Sequence, residues 1–213
     1  YAFRSPSHYV KIYKEAGFDV VSTANNHTND FGRNCIVQTE SLLDKAGIAH
    51  SGRPGDIASL NIRGTKIGLI GFSTSSTSHN LNRLQTAAKL VQSVDKTHDL
   101  VLVSFHGGAE GKRALHVPKG METFLGEKRG DLRRFARVVI DAGADAVIGH
   151  GPHVLRGMEI YNNRLIAYSL GNFATYGRFN LSGNNGLGVI LEMQLDSNGE
   201  FISGNLYPTK QVS

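Results

Sequence analysis

Short apolar runs rich in β-branched residues alternate with stretches of helical periodicity along the first part of the chain. Apolar runs of roughly four to eight residues between turn signals are typical of buried strands, and a period of about 3.6 residues is typical of helices. This pattern predicts helices over residues 5–17, 33–46, 81–95 and 131–142, and strands over residues 18–22, 100–105 and 144–148.

Paired strands occur once in the first half of the chain and dominate its C-terminal part. Turn signals separate three predicted strand pairs, residues 57–62 with 66–72, 154–161 with 164–169, and 187–195 with 201–206. Alternating helices and strands followed by a strand-rich part favour an α/β fold, a two-sheet sandwich flanked by helices in the order α-β-β-α. Because no repeat, low-complexity segment or linker interrupts this order, we expect residues 1–213 to form a single domain.

Composition and charge narrow the possible partners. The 213-residue chain is 40% hydrophobic and carries a formal net charge of +5, with a pI of about 9.4. A basic balance fits an anionic substrate such as a phosphoester or a polyanion, but cations scattered over a solvated surface are the stronger interpretation. The cations are scattered and form no stripe interleaved with aromatics, which disfavours nucleic-acid binding. A single cysteine, Cys35, excludes an internal disulfide. No run of about 18 apolar residues occurs, so no transmembrane segment is predicted in this chain.

Histidine- and asparagine-bearing loops follow three of the predicted strands. Their polar residues are Asn25, Asn26, His27 and Asp30 in the first loop, His106 and Glu110 in the second, and His150 and His153 in the third. Open α/β sheets bind ligands at the carboxyl ends of strands, and imidazole, carboxamide and carboxylate together suit Mn, Fe or Zn. Two such ions could hold a bridging hydroxide and polarise a phosphoryl oxygen, while a nearby histidine protonates the leaving group. For any one histidine a hydrogen-bonded loop residue is the simpler interpretation, but three such loops together favour a site.

Four motifs in this order resemble the bacterial capsule synthesis family CapA. They are residues 24–32 (ANNHTNDFG), 103–110 (VSFHGGAE), 141–153 (DAGADAVIGHGPH) and 166–173 (IAYSLGNF). The resemblance runs from about residue 3 to the C-terminus, and four ordered motifs are far more specific than one. It implies a metallophosphatase-like (calcineurin-like) fold and a link to the production of poly-γ-glutamate capsules.

The resemblance also implies roles for individual residues. His27 is expected to be the catalytic residue that assists the leaving group. The expected ligands of a divalent, dinuclear metal centre are Asn26, His106, His150 and His153. A supporting role beside the metal or the substrate is expected for Asn25, Asp30, Glu110 and Asn172. Glu110 could orient a histidine or be solvated, and Asp30 could close its loop through backbone amides instead of contacting metal.

Three departures from the family pattern bear on this site. Family members often read GHHPH where this chain has Gly151, so one imidazole is lost if the middle residue is a ligand. They often read HWGxEY where Gly107 and Gly111 stand here, a change that would open or reshape the pocket wall. The family's Gly-Asp strand end and Asn-Leu-Glu motif would stand before these motifs, and residues 1–213 do not contain them at that place. We therefore expect the imidazole and amide half of a dinuclear centre, and a sheet without its N-terminal strand, which would expose an edge.

These features predict a metal-dependent hydrolase of poly-γ-glutamate capsule biosynthesis, with phosphoesterase-type chemistry in which a metal-bound hydroxide attacks. The substrate would be a phosphoester or poly-γ-glutamate itself, the capsule-synthesis machinery is a possible partner, and the resemblance suggests a cell-envelope or extracellular location. The alternative is a non-catalytic polymer-binding, assembly or export factor that retains the fold. The chain has neither a GxSxG elbow nor a P-loop, which disfavours a serine hydrolase and a P-loop nucleotide-binding protein.

The remaining polar residues are expected to lie outside the site. Asp145, at the start of its strand, is expected to be structural, Arg156 to be solvated, and residues 112–130 to form a long surface loop. Surface positions are expected for the five histidines without motif context, His8, His50, His79, His98 and His116.

Overall fold

The computed structural model describes residues 2–175 and 179–211. Within these residues it has four α-helices, α1 (Val10–Glu15), α2 (Arg33–Ala46), α3 (Leu84–Asp95) and α4 (Leu132–Asp141). The strands are β1 (Val20–Ser22), β2 (Ala49–Ser51), β3 (Ala58–Ile62), β4 (Thr65–Ser73), β5 (His79–Asn80), β6 (Leu100–His106), β7 (Glu122–Phe124), β8 (Glu127–Gly130), β9 (Ala146–His150), β10 (Met158–Tyr161), β11 (Arg164–Ala167), β12 (Leu187–Leu195) and β13 (Phe201–Lys210). Short 3-10 helices span Ser7–Tyr9 and Gly183–Gly186.

A mixed central sheet organises these elements in the strand order β10-β11-β9-β6-β4-β3, with β5 beside β4. Strands β4, β6, β9 and β11 run parallel to one another, and the antiparallel strands β3 and β10 lie at the two edges. The predicted α/β class, with a central sheet and helices, is confirmed. The other strands form two-stranded ladders, parallel for β1–β2 and antiparallel for β7–β8 and β12–β13. Whether residues 1–213 form one domain, and whether an N-terminal strand is missing, both stay predictions.

The main core lies where α3 and α4 pack on the central sheet. Phe135 of α4 contacts Phe72 of β4 and Phe105 of β6 edge to face, with ring centroids 5.2 Å and 5.7 Å apart. All three rings are fully buried. Such aromatic pairs add about 0.5–1.5 kcal/mol beyond the area that they bury. As the sequence predicts, α4 begins after Asp131, whose side chain accepts a hydrogen bond from the Arg134 amide at 3.1 Å.

Some boundaries differ from the sequence-based expectation for local physical reasons. Helix α3 begins at Leu84 instead of residue 81, because the Asn80 side chain accepts a hydrogen bond from the Asn82 amide and forms an Asx turn there. The expectation that residues 112–130 form only a surface loop is wrong, since the end of this stretch forms the β7–β8 hairpin. That hairpin buries Glu122 and Arg129, which meet charged partners described below. Among the described residues, no helix has both the length and the apolar character needed to cross a bilayer.

Candidate metal centre

His106 and His150 end two neighbouring parallel strands. β6 and β9 pair in register so that His106 lies opposite His150, and the next amide, that of Gly107, donates to the His150 carbonyl at 2.9 Å. Side chains opposite each other in register lie on the same face of a sheet. The structure therefore brings these two predicted ligands together at the carboxyl edge of the central sheet.

Close contacts in the turn that follows β9 require a glycine at residue 151. Gly151 has a φ of 116°, and a Cβ there would lie 2.7 Å from the Gly107 carbonyl oxygen and 3.2 Å from Cδ2 of His106. No side chain fits at that distance. The departure from GHHPH therefore has a packing reason in this chain, because the glycine lets this turn close on the loop that follows β6.

His153 lies in the left-handed region, with a φ of 59°. Such a backbone costs a non-glycine residue about 1–2 kcal/mol, and hydrogen bonds hold the residue in place. Its Nδ1 lies 2.8 Å from Oδ1 of the buried Asn172. The Asn172 amide nitrogen donates to the Asn185 carbonyl at 2.9 Å, which fixes the orientation of the carboxamide. In a neutral His153 ring, Nδ1 therefore carries the proton and Nε2 offers a lone pair.

Glu110 lies on the other side of His153. Its Oε2 lies 3.8 Å from His153 Nε2, and its Oε1 lies 2.9 Å from Nη2 of Arg129, whose side chain is 1% exposed. Glu110 thus lies beside His153, with its side chain 21% exposed, and its role stays a prediction.

The His27 loop is closed by its own polar side chains. The Asn25 side chain accepts a hydrogen bond from the His27 amide at 2.7 Å, so Asn25 is a structural residue of the turn. Asp30 accepts from the Phe3 amide at 2.8 Å, and its two carboxylate oxygens lie 2.9 Å and 3.1 Å from Nδ1 of His27. Asp30 therefore holds the His27 ring in one orientation and leaves Nε2 for another partner.

Two cavities flank these loops. One of about 410 Å³ is lined by Asn26, Thr74, Ser75, Asn82, Glu127 and Lys128. The other, of about 700 Å³, is lined by Glu110, Gly111, Lys112, Arg113, Asn180 and residues 182–185. Gly111 has open space around it, as expected for a missing aromatic, but Gly107 does not, since a Cβ there would lie 2.8 Å from the Arg129 carbonyl oxygen. Of the two effects expected there, an opened or a reshaped wall, Gly107 therefore does not open the wall.

Electrostatics keep the strand-end histidines neutral. Burial and, after it, the nearby Arg129 guanidinium lower the pKa of His106 from 6.5 to about 3. Burial also lowers the pKa of His150. The Nε2 atom of His106 is buried and has no hydrogen-bond partner among the described residues. Neutral imidazoles are the protonation state that binds metal, and a buried nitrogen without a partner is costly unless something binds it, so these residues fit a divalent ion.

Aromatic rings connect the His27 loop to the HGPH turn. The Phe3 ring lies 4.5 Å from the His27 ring and 5.5 Å from the Phe179 ring, centroid to centroid, and Phe179 lies 5.8 Å from His153. The candidate metal centre, which we define as His27, His106, Glu110, His150 and His153, thus extends from the first loop to the third, with the Phe3 and Phe179 rings between His27 and His153.

The tightest group of potential ligands lies elsewhere. In the described part of the chain, three acidic or histidine side chains have ligand atoms within 4.8 Å of one another only in Glu40, His50 and Asp56. Both carboxylate oxygens of Glu40 already contact Arg53, at 2.6 Å each, so the charge of Glu40 is balanced.

His50 is largely buried, contrary to the expectation from the sequence. Its side chain is 11% exposed, and its two ring nitrogens lie 3.0 Å from an Asp56 oxygen and 3.2 Å from an Asp44 oxygen. The surface position expected for His50 is wrong, because two carboxylates brought by different segments enclose it. His79 is also partly buried, and burial lowers its pKa, whereas His8 and His116 are exposed as expected.

Two buried arginines support the site and were missed by the sequence analysis. Arg156 is not solvated, because its side chain is 0% exposed and pairs with Glu122 at 2.8 Å. Arg129 lies in the stretch interpreted as a surface loop. The only sequence signal for either residue was the presence of a charged residue close to a histidine motif. Asp145 is structural as expected, since it accepts a hydrogen bond from the Val101 amide at 2.7 Å.

Comparison with known families and proteins gives a consistent result. Residues 1–176 match the sequence model of the family described as bacterial capsule synthesis protein PGA_cap. The PGA biosynthesis protein CapA of Bacillus subtilis (strain 168) is 30% identical over 181 residues, which cover 77% of this chain and 44% of that protein. The capsule biosynthesis protein CapA of Bacillus anthracis is 30% identical over 184 residues, covering 77% and 42%. The chain thus spans less than half the length of these curated relatives.

Solved structures show the same fold at lower identity. A hypothetical protein from Thermus thermophilus superposes with a TM-score of 0.63 at 16% identity, covering 96% of this chain and 81% of that one. A 5′-nucleotidase precursor from the same species superposes with a TM-score of 0.57 at 15% identity, covering 94% and 40%. These likenesses show a metallophosphatase-like fold and nothing about activity.

Proposed function

Since the chain belongs to the bacterial capsule synthesis protein PGA_cap family, we propose that it is a metal-dependent hydrolase of capsule biosynthesis with phosphoesterase-type chemistry. The buried Nε2 of His106, which has no hydrogen-bond partner among the described residues and lies on a strand end paired in register with His150, is the observation that carries this proposal. Asn26, His106, His150 and His153 would hold the divalent ions, which we propose to be Mn, Fe or Zn in a dinuclear centre.

His27 is the proton donor in this proposal. Asp30 accepts the hydrogen bond from Nδ1 of His27, which leaves Nε2 free to protonate the oxygen or nitrogen of a leaving group. Asn25 holds the loop that carries the ring through the His27 amide. When bound, the metal would polarise the electrophilic centre and lower the pKa of the attacking water.

The charge around the larger cavity supports an anionic substrate. Lys112 and Arg113 line this cavity and are exposed, and neither forms a salt bridge among the described residues. Glu110, the acidic residue of the same wall, is paired with Arg129. We therefore propose a phosphoester or poly-γ-glutamate as the substrate, and other components of the capsule-synthesis machinery as partners.

A non-catalytic role in polymer binding, assembly or export is the second candidate function. The larger cavity favours it, because about 700 Å³ lined by amides, a hydroxyl and two cations suits a segment of a carboxylate-bearing polymer as well as a small phosphoester. In that case the fold would bind the polymer without cleaving it.

Substitution of the proposed proton donor separates these candidates. The full chain loaded with Mn would be assayed on bis(p-nitrophenyl) phosphate and on a γ-glutamyl oligomer, beside His27→Ala and a control variant, His116→Ala, at an exposed histidine. We expect turnover by the wild-type chain, a loss of about 10²–10⁴-fold in His27→Ala, and little change in the control.

Absence of turnover on both substrates by a chain that retains Mn would rule out the hydrolase. Saturable binding of poly-γ-glutamate under those conditions would then support the second candidate. A His27→Ala variant as active as the wild-type chain would leave a hydrolase but remove His27 from the proton transfer.

A further inference from the structure

We propose that Glu110 is an anionic ligand that shares a metal ion with Nε2 of His153. This inference rests on the metal site of the proposed function and names a carboxylate within it. It assigns Glu110 to the metal itself, instead of to the orientation of a histidine.

The first support is the side of the ring that Glu110 faces. A residue that only orients a metal-bound histidine contacts the ring nitrogen that points away from the metal. In His153 that nitrogen is Nδ1, which is already hydrogen-bonded to Asn172 at 2.8 Å. Glu110 faces the other nitrogen, Nε2, at 3.8 Å. It therefore lies on the side that would face the metal.

The second support is the mismatch between the two facing atoms. In the neutral form that binds metal, with its proton on Nδ1, His153 presents a lone pair at Nε2, and a carboxylate oxygen also presents lone pairs. Two acceptors that face each other repel unless a cation lies between them. The separation of 3.8 Å is too long for a hydrogen bond. It fits two donor atoms on one ion, because bonds of roughly 2.0–2.2 Å place neighbouring ligand atoms roughly 3–4 Å apart.

The third support is the charge of the surroundings. The other ligands proposed above are imidazoles and a carboxamide, none of which brings a negative charge, and the buried Arg129 adds a permanent positive charge beside them. A dication bound only by neutral imidazoles next to a buried guanidinium would be poorly compensated. Glu110 contacts both Arg129 and the edge of the histidine cluster, so its negative charge lies where the dication needs it.

The fourth support is the preorganisation of the loop that carries Glu110. The Gly107 amide donates to the His150 carbonyl at 2.9 Å, and the Gly111 amide donates to the Pro152 carbonyl at 2.9 Å. Between them, the Gly108 amide donates to the Arg129 carbonyl at 2.7 Å, and the Ala109 amide donates to the Glu122 carboxylate at 3.0 Å. A loop held on both sides in this way fixes its side chain before any ligand arrives, which lowers the entropy cost of binding. Arg129 positions the carboxylate through their 2.9 Å contact.

Metal binding by Glu110→Gln tests the proposal without relying on activity. Gln preserves shape but removes the negative charge. Glu127→Gln is the matched control, because Glu127 also pairs with Arg129, at 3.4 Å, while its side chain is 65% exposed. Affinity for Mn²⁺ would be measured by calorimetry on the full chain, and the coordination of Co²⁺ by its visible absorption spectrum. Glu110→Asp, which keeps the charge on a shorter side chain, guards against a loss caused by misfolding.

We expect Glu110→Gln to weaken Mn²⁺ binding by more than about 100-fold, beyond the roughly 10–100-fold loss typical of a residue that only orients a ligand. The Co²⁺ spectrum should change in this variant, Glu127→Gln should bind within about threefold of the wild-type chain, and Glu110→Asp should recover part of the affinity.

Affinity within about threefold of wild type in Glu110→Gln, or weaker binding with an unchanged Co²⁺ spectrum, would overturn the ligand assignment and leave the proposed function standing. If the wild-type chain bound neither Mn²⁺ nor Co²⁺, the metal-dependent hydrolase and this inference would both fail.

Discussion

The buried ion pair between Arg156 and Glu122 should be the most sensitive single contact outside the candidate metal centre. Their side chains are 0% and 4% exposed, and two contacts of 2.9 Å and 2.8 Å join them. Arg156 also donates to the Ala114 carbonyl at 2.6 Å, and Glu122 accepts from the Ala109 amide at 3.0 Å. The substitution Glu122→Gln keeps the volume and removes the charge, so it tests how strongly this pair supports the loop after β6.

The expected magnitude follows from this geometry. Removal of one partner of a buried pair costs about 3–5 kcal/mol, because the remaining charge stays buried without compensation. In Glu122→Gln an amide NH₂ group also replaces one of the two acceptor oxygens. This NH₂ group would face the Arg156 guanidinium or the Ala109 amide, and each of these groups is itself a hydrogen-bond donor. For a chain of this length, about 2–4 °C of melting temperature per kcal/mol predicts a fall of roughly 6–20 °C.

Urea unfolding followed by circular dichroism would measure the free energy of unfolding of Glu122→Gln. The double variant Glu122→Leu with Arg156→Met removes both charges and should recover most of the loss, since apolar replacements of buried pairs are often neutral or stabilising. Glu159→Gln is a matched control, because Glu159 pairs with Arg137 at 2.6 Å but lies closer to solvent. We expect a much smaller loss there, since water screens exposed pairs.

A loss below about 1 kcal/mol in Glu122→Gln would refute the argument that a desolvated charge is left behind, since it would equal the effect of a surface pair. So would a double variant that is no more stable than the single one. If the reasoning holds, Glu122→Gln should also weaken metal binding, because the Ala109 amide loses a charged acceptor three residues after His106.

Two further predictions concern the site itself. Gly151→Ala should cost about 1–3 kcal/mol from its backbone strain and more from its contact with Gly107, and it should weaken metal binding. Gly126→Ala, with a φ of 82° and open space, carries only the strain, so equal losses in the two variants would contradict the steric argument. In the metal-free chain, the pKa of about 3 for folded His106 means that only the unfolded chain takes up this proton between pH 6.5 and 3. This contribution to the free energy of unfolding is therefore complete above pH 6.5, and the free energy of unfolding falls by up to about 1.4 kcal/mol per pH unit between pH 6.5 and 3. His106→Gln should flatten that slope in urea titrations, and identical slopes would contradict the buried, neutral state.

The positions of the strand-end histidines could be predicted from the sequence because both signals are local. β-branched runs end at His106 and at His150, and parallel neighbouring strands bring their carboxyl ends to one edge of the sheet. The α/β class followed from the same alternation. The start of α3 could not be placed, because the turn at Asn80 competes with the helical period at residue 81.

Contacts between distant charged residues could not be predicted. Glu122 and Arg156 lie 34 residues apart, and in a local pattern each looks like a solvated charge. His50 lies only six residues from both Asp44 and Asp56 in sequence, but its contacts with them depend on how α2 and β2 pack. Such pairs depend on tertiary packing, which periodicity and spacing do not contain.

The effect of the two glycines that depart from the family pattern also depends on tertiary packing, so it could not be predicted from the sequence. From the sequence we expect Gly151 to remove an imidazole if that position is a ligand, and Gly107 to open or reshape the pocket wall. Instead, the two glycines contact each other, with the Gly107 carbonyl oxygen 2.7 Å from the position that a Cβ of residue 151 would take. A bulky side chain at either position would separate the loops after β6 and β9.

The register between β6 and β9 is therefore part of the chemistry of this site. A slip of one residue would turn either His106 or His150 to the opposite face of the sheet, because successive side chains of a strand alternate. The hydrogen bond from the Gly107 amide to the His150 carbonyl and the close approach of Gly151 to Gly107 both oppose that slip. The same backbone contacts carry Glu110 to its place beside His153. A single alignment of two parallel strands thus sets the position of three imidazoles and one carboxylate.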